Sequence, residues 1–81
     1  METTLSICSV VDAGLGELRV NGYDLFFNLG DSQVESEQEF HQIVEELKGI
    51  PEYSGPFALL AETEDDEGNR TKEVLEVVYL N

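Results

Sequence analysis

The segment ELRVNGYDLFF, residues 17–27, decides the fold because it predicts a β-hairpin from three separate features. Asn21–Gly22 stands between two alternating runs, and a type I′ turn needs positive φ at both of its central residues. A two-residue turn fixes the register, which places on one face the apolar residues Leu18, Val20, Tyr23 and Leu25. In that register Arg19 lies opposite Asp24 on the other face, a favourable cross-strand charge pair.

Further along the chain, the sequence predicts a helix over residues 37–48. The spacing i, i+3, i+4, i+7 of one helical stripe is followed by Phe40, Ile43, Val44 and Leu47. Ser36 and Glu39 fit a capping box, in which two side chains satisfy backbone N–H groups at the helix start. Gly49 fits the left-handed position after the helix, and Pro51 prevents its continuation.

Three more runs are typical of strands. They cover about residues 5–11, before the hairpin, and residues 57–63 and 73–80, after the helix. Gly30 and Asp31 are predicted to end the third strand. In the last run one side carries Leu75, Val77 and Tyr79, and the other carries Val74, Glu76 and Val78. The order β-β-β-α-β-β predicts a single α+β domain over residues 1–81, an antiparallel sheet of about five strands with one helix packed on one face.

The composition excludes several classes of function. There are 18 Asp and Glu residues against 4 Lys and Arg, a formal charge of −14, and hydrophobic residues make up 41% of the chain. That much apolar surface is not typical of a disordered acidic tail. Nucleic acid and anionic membranes repel such a polyanion, so neither is an expected direct partner. The sequence shows neither a signal peptide nor an apolar run of about 20 residues. A cytoplasmic location is therefore expected, in the host cell if the gene belongs to a phage.

We expect no catalytic, cofactor or metal site. The one histidine, His41, has no nucleophile at an informative spacing and is interpreted as a solvated residue on the helix surface. The one cysteine, Cys8, is expected to be a buried structural thiol. An EF-hand loop with Gly68 at its sixth position would begin at Thr63 and end at Val74, and neither supplies the required carboxylate. The protein is therefore predicted not to be an enzyme.

The charge pattern predicts a partner-binding surface. Residues two apart on a strand lie about 6.8 Å apart on one face, and residues four apart on a helix about 6 Å. Both distances are close to the spacing of phosphates along a nucleic-acid strand. The expected contact residues are Glu35, Glu37, Glu45, Glu46, Glu62, Glu64, Asp65, Asp66 and Glu67. Their partner would be a basic nucleic-acid-binding protein or complex, with Tyr53 and Phe57 as candidate aromatic anchors of the contact, although a residue such as Phe57 is more often part of the core.

The chain resembles the small acidic inhibitors made by phages. Its size, acidity and α+β layout are similar to those of anti-CRISPR proteins. Two segments, Glu35–Gly49 and Pro51–Leu59, locally resemble the uracil-DNA glycosylase inhibitor family through a Glu-Ser pair, a Val-Glu-Glu run and a Pro-Glu-Tyr run. No residue role is transferred from that family, because its Glu-Ser pair lies on a strand whereas Ser36 is predicted to cap a helix. The resemblance implies a protein that imitates DNA.

Three hypotheses about function follow from the sequence. In the first, the chain is a phage-type inhibitor that blocks the nucleic-acid site of a CRISPR effector or another DNA-processing enzyme. In the second, it is an immunity protein or antitoxin that neutralises a basic toxin nuclease. In the third, it is a non-inhibitory structural module whose charge maintains solubility. A monomer and a homodimer paired through a sheet edge are both compatible with the sequence.

Overall fold

A computed structural model describes residues 2–27, 29–30 and 32–80. In these residues the chain forms six strands and one helix, in the order β1 (Glu2–Val11), β2 (Leu18–Val20), β3 (Tyr23–Phe26), β4 (Gln33–Val34), α1 (Glu37–Lys48), β5 (Gly55–Glu64) and β6 (Arg70–Leu80). The predicted α+β class, an antiparallel sheet with a helix on one face, is confirmed. The sequence did not predict β4. Among the described residues, no helix has the length and apolar character needed to cross a membrane.

The sheet is built around the long strands β1 and β5. Its order is β2-β3-β1-β5-β6, with antiparallel pairing throughout. β1 and β5 pair from Glu2 opposite Glu64 to Ser9 opposite Phe57. Along its other edge β1 pairs first with β4 and then with β3. The third strand ends at Phe26, and Asp31, where the sequence placed its end, lies outside the described residues.

The predicted hairpin is confirmed in its turn and in its register. Asn21 and Gly22 have φ of 53° and 83°, and Arg19 lies opposite Asp24. The carboxylate of Asp24, which is only 7% exposed, accepts a hydrogen bond from the backbone N–H of Gly14. Asp24 is thus satisfied by the loop before the hairpin, so its role is to fasten that loop to the sheet.

The sheet curls far enough for the hairpin to contact β6. The Asn21 side-chain oxygen accepts a hydrogen bond of 2.9 Å from the backbone N–H of Val74, 53 residues along the chain. The curl creates an apolar cluster on each face of the sheet. Under the helix lie Ile7, Val34, Phe40, Val44, Leu47, Phe57, Leu59 and Leu80. Inside the curl lie Cys8, Val20, Leu25, Ala58 and Leu60.

The helix has the predicted bounds, and its two ends differ in how far they match the prediction. Ser36 Oγ accepts a hydrogen bond of 3.1 Å from the Glu39 N–H, and Glu39 Oε2 accepts one from the Glu35 N–H. At the other end the prediction was wrong, because Gly49 has φ −84° and is right-handed. Its N–H donates to the Glu46 carbonyl, so a tightened last turn satisfies the terminal carbonyls without a left-handed residue.

A β-bulge in β6 overturns the predicted alternation of the last strand. Leu59 lies opposite Glu76 whereas Leu60 lies opposite Val74, so Leu75 is the extra residue. Because a bulge lets two neighbouring residues oppose one, the side chains before and after it change face. Val74 packs in the same cluster as Val77, not on the side of Val78 as predicted. The bulge leaves Leu75 47% exposed.

Candidate functional site: an acidic end of the sheet

Charged side chains from three strands meet at one end of the sheet. Glu2 lies opposite Glu64, which in turn lies opposite Arg70, and Glu62 lies opposite Lys72. Directly opposed side chains point to the same face, with strands about 4.8 Å apart and same-face residues about 6.8 Å apart along each strand. The register therefore fixes a small grid of charged groups on one face.

The turn between β5 and β6 extends this grid. Two shallow depressions share Glu2 and Glu64, one reaching towards Glu62 and Arg70 and the other towards Asp65 and Asp66. We call this surface the acidic end and define it as Glu2, Glu62, Glu64, Asp65, Asp66 and Glu67. Five of these six residues were predicted from the sequence. Glu2 was missed, although the β-branched Thr3 and Thr4 beside it favour a longer first strand.

Arg70 offsets part of the charge of the acidic end. Its Nη1 lies 3.5 Å from Glu62 Oε1 and its Nε lies 3.5 Å from Glu64 Oε2. With Lys72 opposite Glu62, six carboxylates face two cations, which leaves a formal charge of −4 at this end. Arg70 links the strand carboxylates Glu62 and Glu64, and the turn carboxylates lie beyond them.

Asp65 organises the turn. Its Oδ1 accepts hydrogen bonds of 2.9 Å from the backbone N–H groups of Glu67 and Asn69, and its Oδ2 accepts one of 3.3 Å from Asn69 Nδ2. The bond from the Asn69 N–H is the main reason that the pKa of Asp65 lies below its ordinary value. The exposed neighbours Asp66 and Glu67 are held in place by this turn.

The predicted helix residues form a second acidic surface. Glu35, Glu37, Glu45 and Glu46 are all exposed. Glu45 Oε1 accepts a hydrogen bond of 2.9 Å from Lys48 Nζ, which reduces its charge locally. The helix contacts β6 at Glu76, six residues from Arg70, or about 20 Å of strand. Glu62 and Glu64 share the sheet face of Leu60, which is opposite to the helix, so the nine predicted residues occupy two separate surfaces.

The two aromatic residues predicted as anchors do not lie free on the surface. Phe57 is 1% exposed and belongs to the core under the helix, so the prediction that it contacts a partner was wrong. Its place opposite Ser9 on a strand between two others explains the burial. Tyr53 is half-buried and packs edge-on against Phe57, with ring centroids 6.3 Å apart. Among the described residues Tyr79, 75% exposed on β6, is the most exposed aromatic side chain.

The one histidine and the one cysteine also have defined environments. His41 is exposed on the helix, as predicted, but its Nε2 lies 2.6 Å from Glu76 Oε2. The sequence contains no signal for this contact, because the contact depends on how the helix packs across β6. Cys8 is fully buried, which confirms its structural role, and burial raises the pKa of its thiol to about 12, with a smaller contribution from Glu17.

Comparison with known proteins found no family model, no curated protein and no solved structure that matches the chain. A function for the acidic end must therefore be inferred from its geometry and charge.

Proposed function

We propose that this protein is a non-enzymatic inhibitor that binds the basic nucleic-acid-binding surface of a CRISPR effector, or of another DNA-processing enzyme, by imitating DNA. The observation that supports it is the register of β1, β5 and β6, which brings Glu2, Glu62 and Glu64 together beside the carboxylates of the turn. In this proposal the acidic end occupies Lys and Arg side chains that otherwise contact phosphates.

The strand spacing makes the acidic end a suitable imitation of a phosphate strand. Its carboxylates are carried by paired strands and by a turn with internal hydrogen bonds, so little conformational entropy is lost when they bind. The formal charge of −14 accelerates encounter with a cationic groove. Binding to the groove also displaces the nucleic acid whose phosphates would otherwise fill it.

The helix surface provides a second row of contacts in the same proposal. Glu35, Glu37, Glu45 and Glu46 belong to the helix side of the molecule, and Glu62 and Glu64 lie on the other face of the sheet, so a partner that contacts both sets has a basic groove that encloses the molecule. The molecule measures 43 × 29 × 20 Å, and its long dimension is suited to such a groove. With contacts spread so widely, we expect any single carboxylate substitution to weaken inhibition only slightly.

Reversal of several charges at the acidic end tests this proposal. The variant Glu64→Lys, Asp66→Lys, Glu67→Lys retains Asp65, which the turn requires. The assay measures cleavage of labelled target duplexes by purified guide-loaded CRISPR effectors, restriction nucleases and a DNA glycosylase, each with added inhibitor. We expect the wild-type chain to inhibit at least one of these enzymes and the variant to lose that inhibition, with thermal stability unchanged or raised because like-charge repulsion falls.

A matched control has the same change in net charge at other positions. The variant Asp12→Lys, Glu17→Lys, Glu52→Lys reverses three exposed carboxylates outside both acidic surfaces and should still inhibit. Equal loss of inhibition in the two variants would mean that net charge acts without any specific surface. Full inhibition by the first variant, or no inhibition of any enzyme by the wild-type chain, contradicts the proposal.

A further inference from the structure

Three metal-ligating side chains converge between the helix and the last strand. Glu37 and His41 belong to α1 and Glu76 to β6. One ligand atom from each lies within 4.8 Å of the other two, and His41 Nε2 lies 2.6 Å from Glu76 Oε2. This cluster is separate from the acidic end and contains the chain's one imidazole.

The fold holds these three residues in place from two sides. Glu37 and His41 are four residues apart on one helix face, with Cβ atoms about 5–6 Å apart. Phe40, next to His41, is fully buried and fixes the helix on the sheet. On β6, Glu76 lies opposite the buried Leu59 and alternates with Val78 and Leu80, which places it on the helix side of the sheet.

We propose that Glu37, His41 and Glu76 bind one Zn²⁺ ion. Zinc binds imidazole nitrogen and carboxylate oxygen at about 2.0–2.2 Å in tetrahedral geometry, which sets its ligand atoms about 3.4 Å apart. The distance of 2.6 Å between His41 Nε2 and Glu76 Oε2 must open by about 0.8 Å, and any other ligand–ligand distance, all being within 4.8 Å, must close by at most about 1.4 Å. Both changes need only side-chain rotation, since all three side chains reach solvent.

The chemistry of the three ligands selects the kind of metal. Mg²⁺ and Ca²⁺ prefer all-oxygen sites, whereas an imidazole with two carboxylates suits a borderline ion such as Zn²⁺. Two carboxylates balance the charge of the ion. Three protein ligands leave a fourth position, which a water molecule fills. The ion would tie the start of α1 to β6, so the site belongs to the fold of this chain and does not depend on the proposed inhibitor function.

A zinc titration of the tag-free full chain tests the site, because its one histidine gives a single set of imidazole NMR signals. The chain, free of EDTA, is titrated with ZnCl₂ at pH 7 in 0.15 M NaCl, where weak association with surface carboxylates is screened. We expect the His41 ring signals to change until one equivalent is bound, and calorimetry to give a 1:1 stoichiometry. A hundredfold excess of MgCl₂ should not displace the zinc.

Conservative variants then separate this site from the general attraction of a polyanion for cations. His41→Gln and Glu76→Gln should each weaken Zn²⁺ binding at least tenfold, whereas Glu46→Gln, which removes an exposed carboxylate elsewhere on the same helix, should leave it unchanged. Circular dichroism without metal checks that each variant folds. Unchanged affinity in His41→Gln, or an equal loss in Glu46→Gln, overturns the proposal.

Discussion

The buried thiol of Cys8 makes the stability of the chain sensitive to alkaline pH. Its pKa is raised from 9.0 to about 12 in the folded protein, so folding favours the neutral thiol. The resulting stabilisation is complete below the ordinary pKa and is lost as pH rises from there towards 12. We predict that the free energy of unfolding falls above pH 9, by about 1.4 kcal/mol at pH 10 from this group alone.

Comparison with Cys8→Ala isolates this contribution. Urea unfolding at pH 8 and pH 10 measures both proteins, and tyrosine and lysine titrations contribute equally to each. The stability advantage of the wild-type chain over Cys8→Ala should be smaller at pH 10 than at pH 8. An advantage that is the same at both pH values would show that the thiol titrates normally in the folded state.

At the scale of elements, the sequence predicted correctly those features that depend on neighbouring residues alone. The helix bounds followed from the apolar stripe and the capping Ser36, and the hairpin register followed from Asn21–Gly22. The bulge at Leu75 was not predictable, because residues 74–79 alternate in sequence as a regular strand does and only the pairing with β5 reveals the extra residue. The two-residue β4 is too short to show any period.

The candidate site was predictable to the same extent. The run from Glu62 to Glu67 is visible as a charged strand end and turn. The membership of Glu2 depends on pairing between residues 62 apart in sequence, and the contact of His41 with Glu76 depends on how the helix packs across β6. Long-range register, and not local propensity, decides which charged residues become neighbours.

The β5–β6 turn provides a prediction at the scale of this element. Because hydrogen bonds from backbone N–H groups lower the pKa of Asp65, its carboxylate stabilises the fold above the ordinary aspartate pKa. That contribution is lost as pH falls through the lowered value. We predict that Asp65→Asn lowers the melting temperature at pH 7 and reduces the fall in stability between pH 5 and pH 2, as followed by circular dichroism.

Glu67→Gln is the matched control for this prediction. It removes one negative charge two residues away, while the backbone N–H of residue 67 still donates to Asp65. We expect its melting temperature at pH 7 to equal or exceed that of the wild-type chain. If Asp65→Asn behaves in the same way as Glu67→Gln, the hydrogen bonds of the turn add nothing to stability.

At the scale of the whole molecule, the charge of −14 opposes folding through self-repulsion. Salt screens this repulsion, with a Debye length of about 10 Å at 0.1 M ionic strength. We predict that the melting temperature rises between 0.01 and 0.3 M NaCl. The triple variant at Glu64, Asp66 and Glu67 has a formal charge of −8 and should show a smaller rise. Equal rises in the two proteins would exclude self-repulsion as the cause.

The pairing of β1 with β5 also constrains how the chain acquires its structure. The centre of the sheet forms only when β1 pairs with β5, from Glu2 opposite Glu64 to Ser9 opposite Phe57. Such sequence-distant pairings require large loops to close first, and chains dominated by them fold in milliseconds to seconds, not microseconds. On the ribosome, β1 emerges well before β5 is synthesised. β1 therefore stays unpaired until β5 has been synthesised, and repulsion between the carboxylates of different chains helps to prevent aggregation during that time.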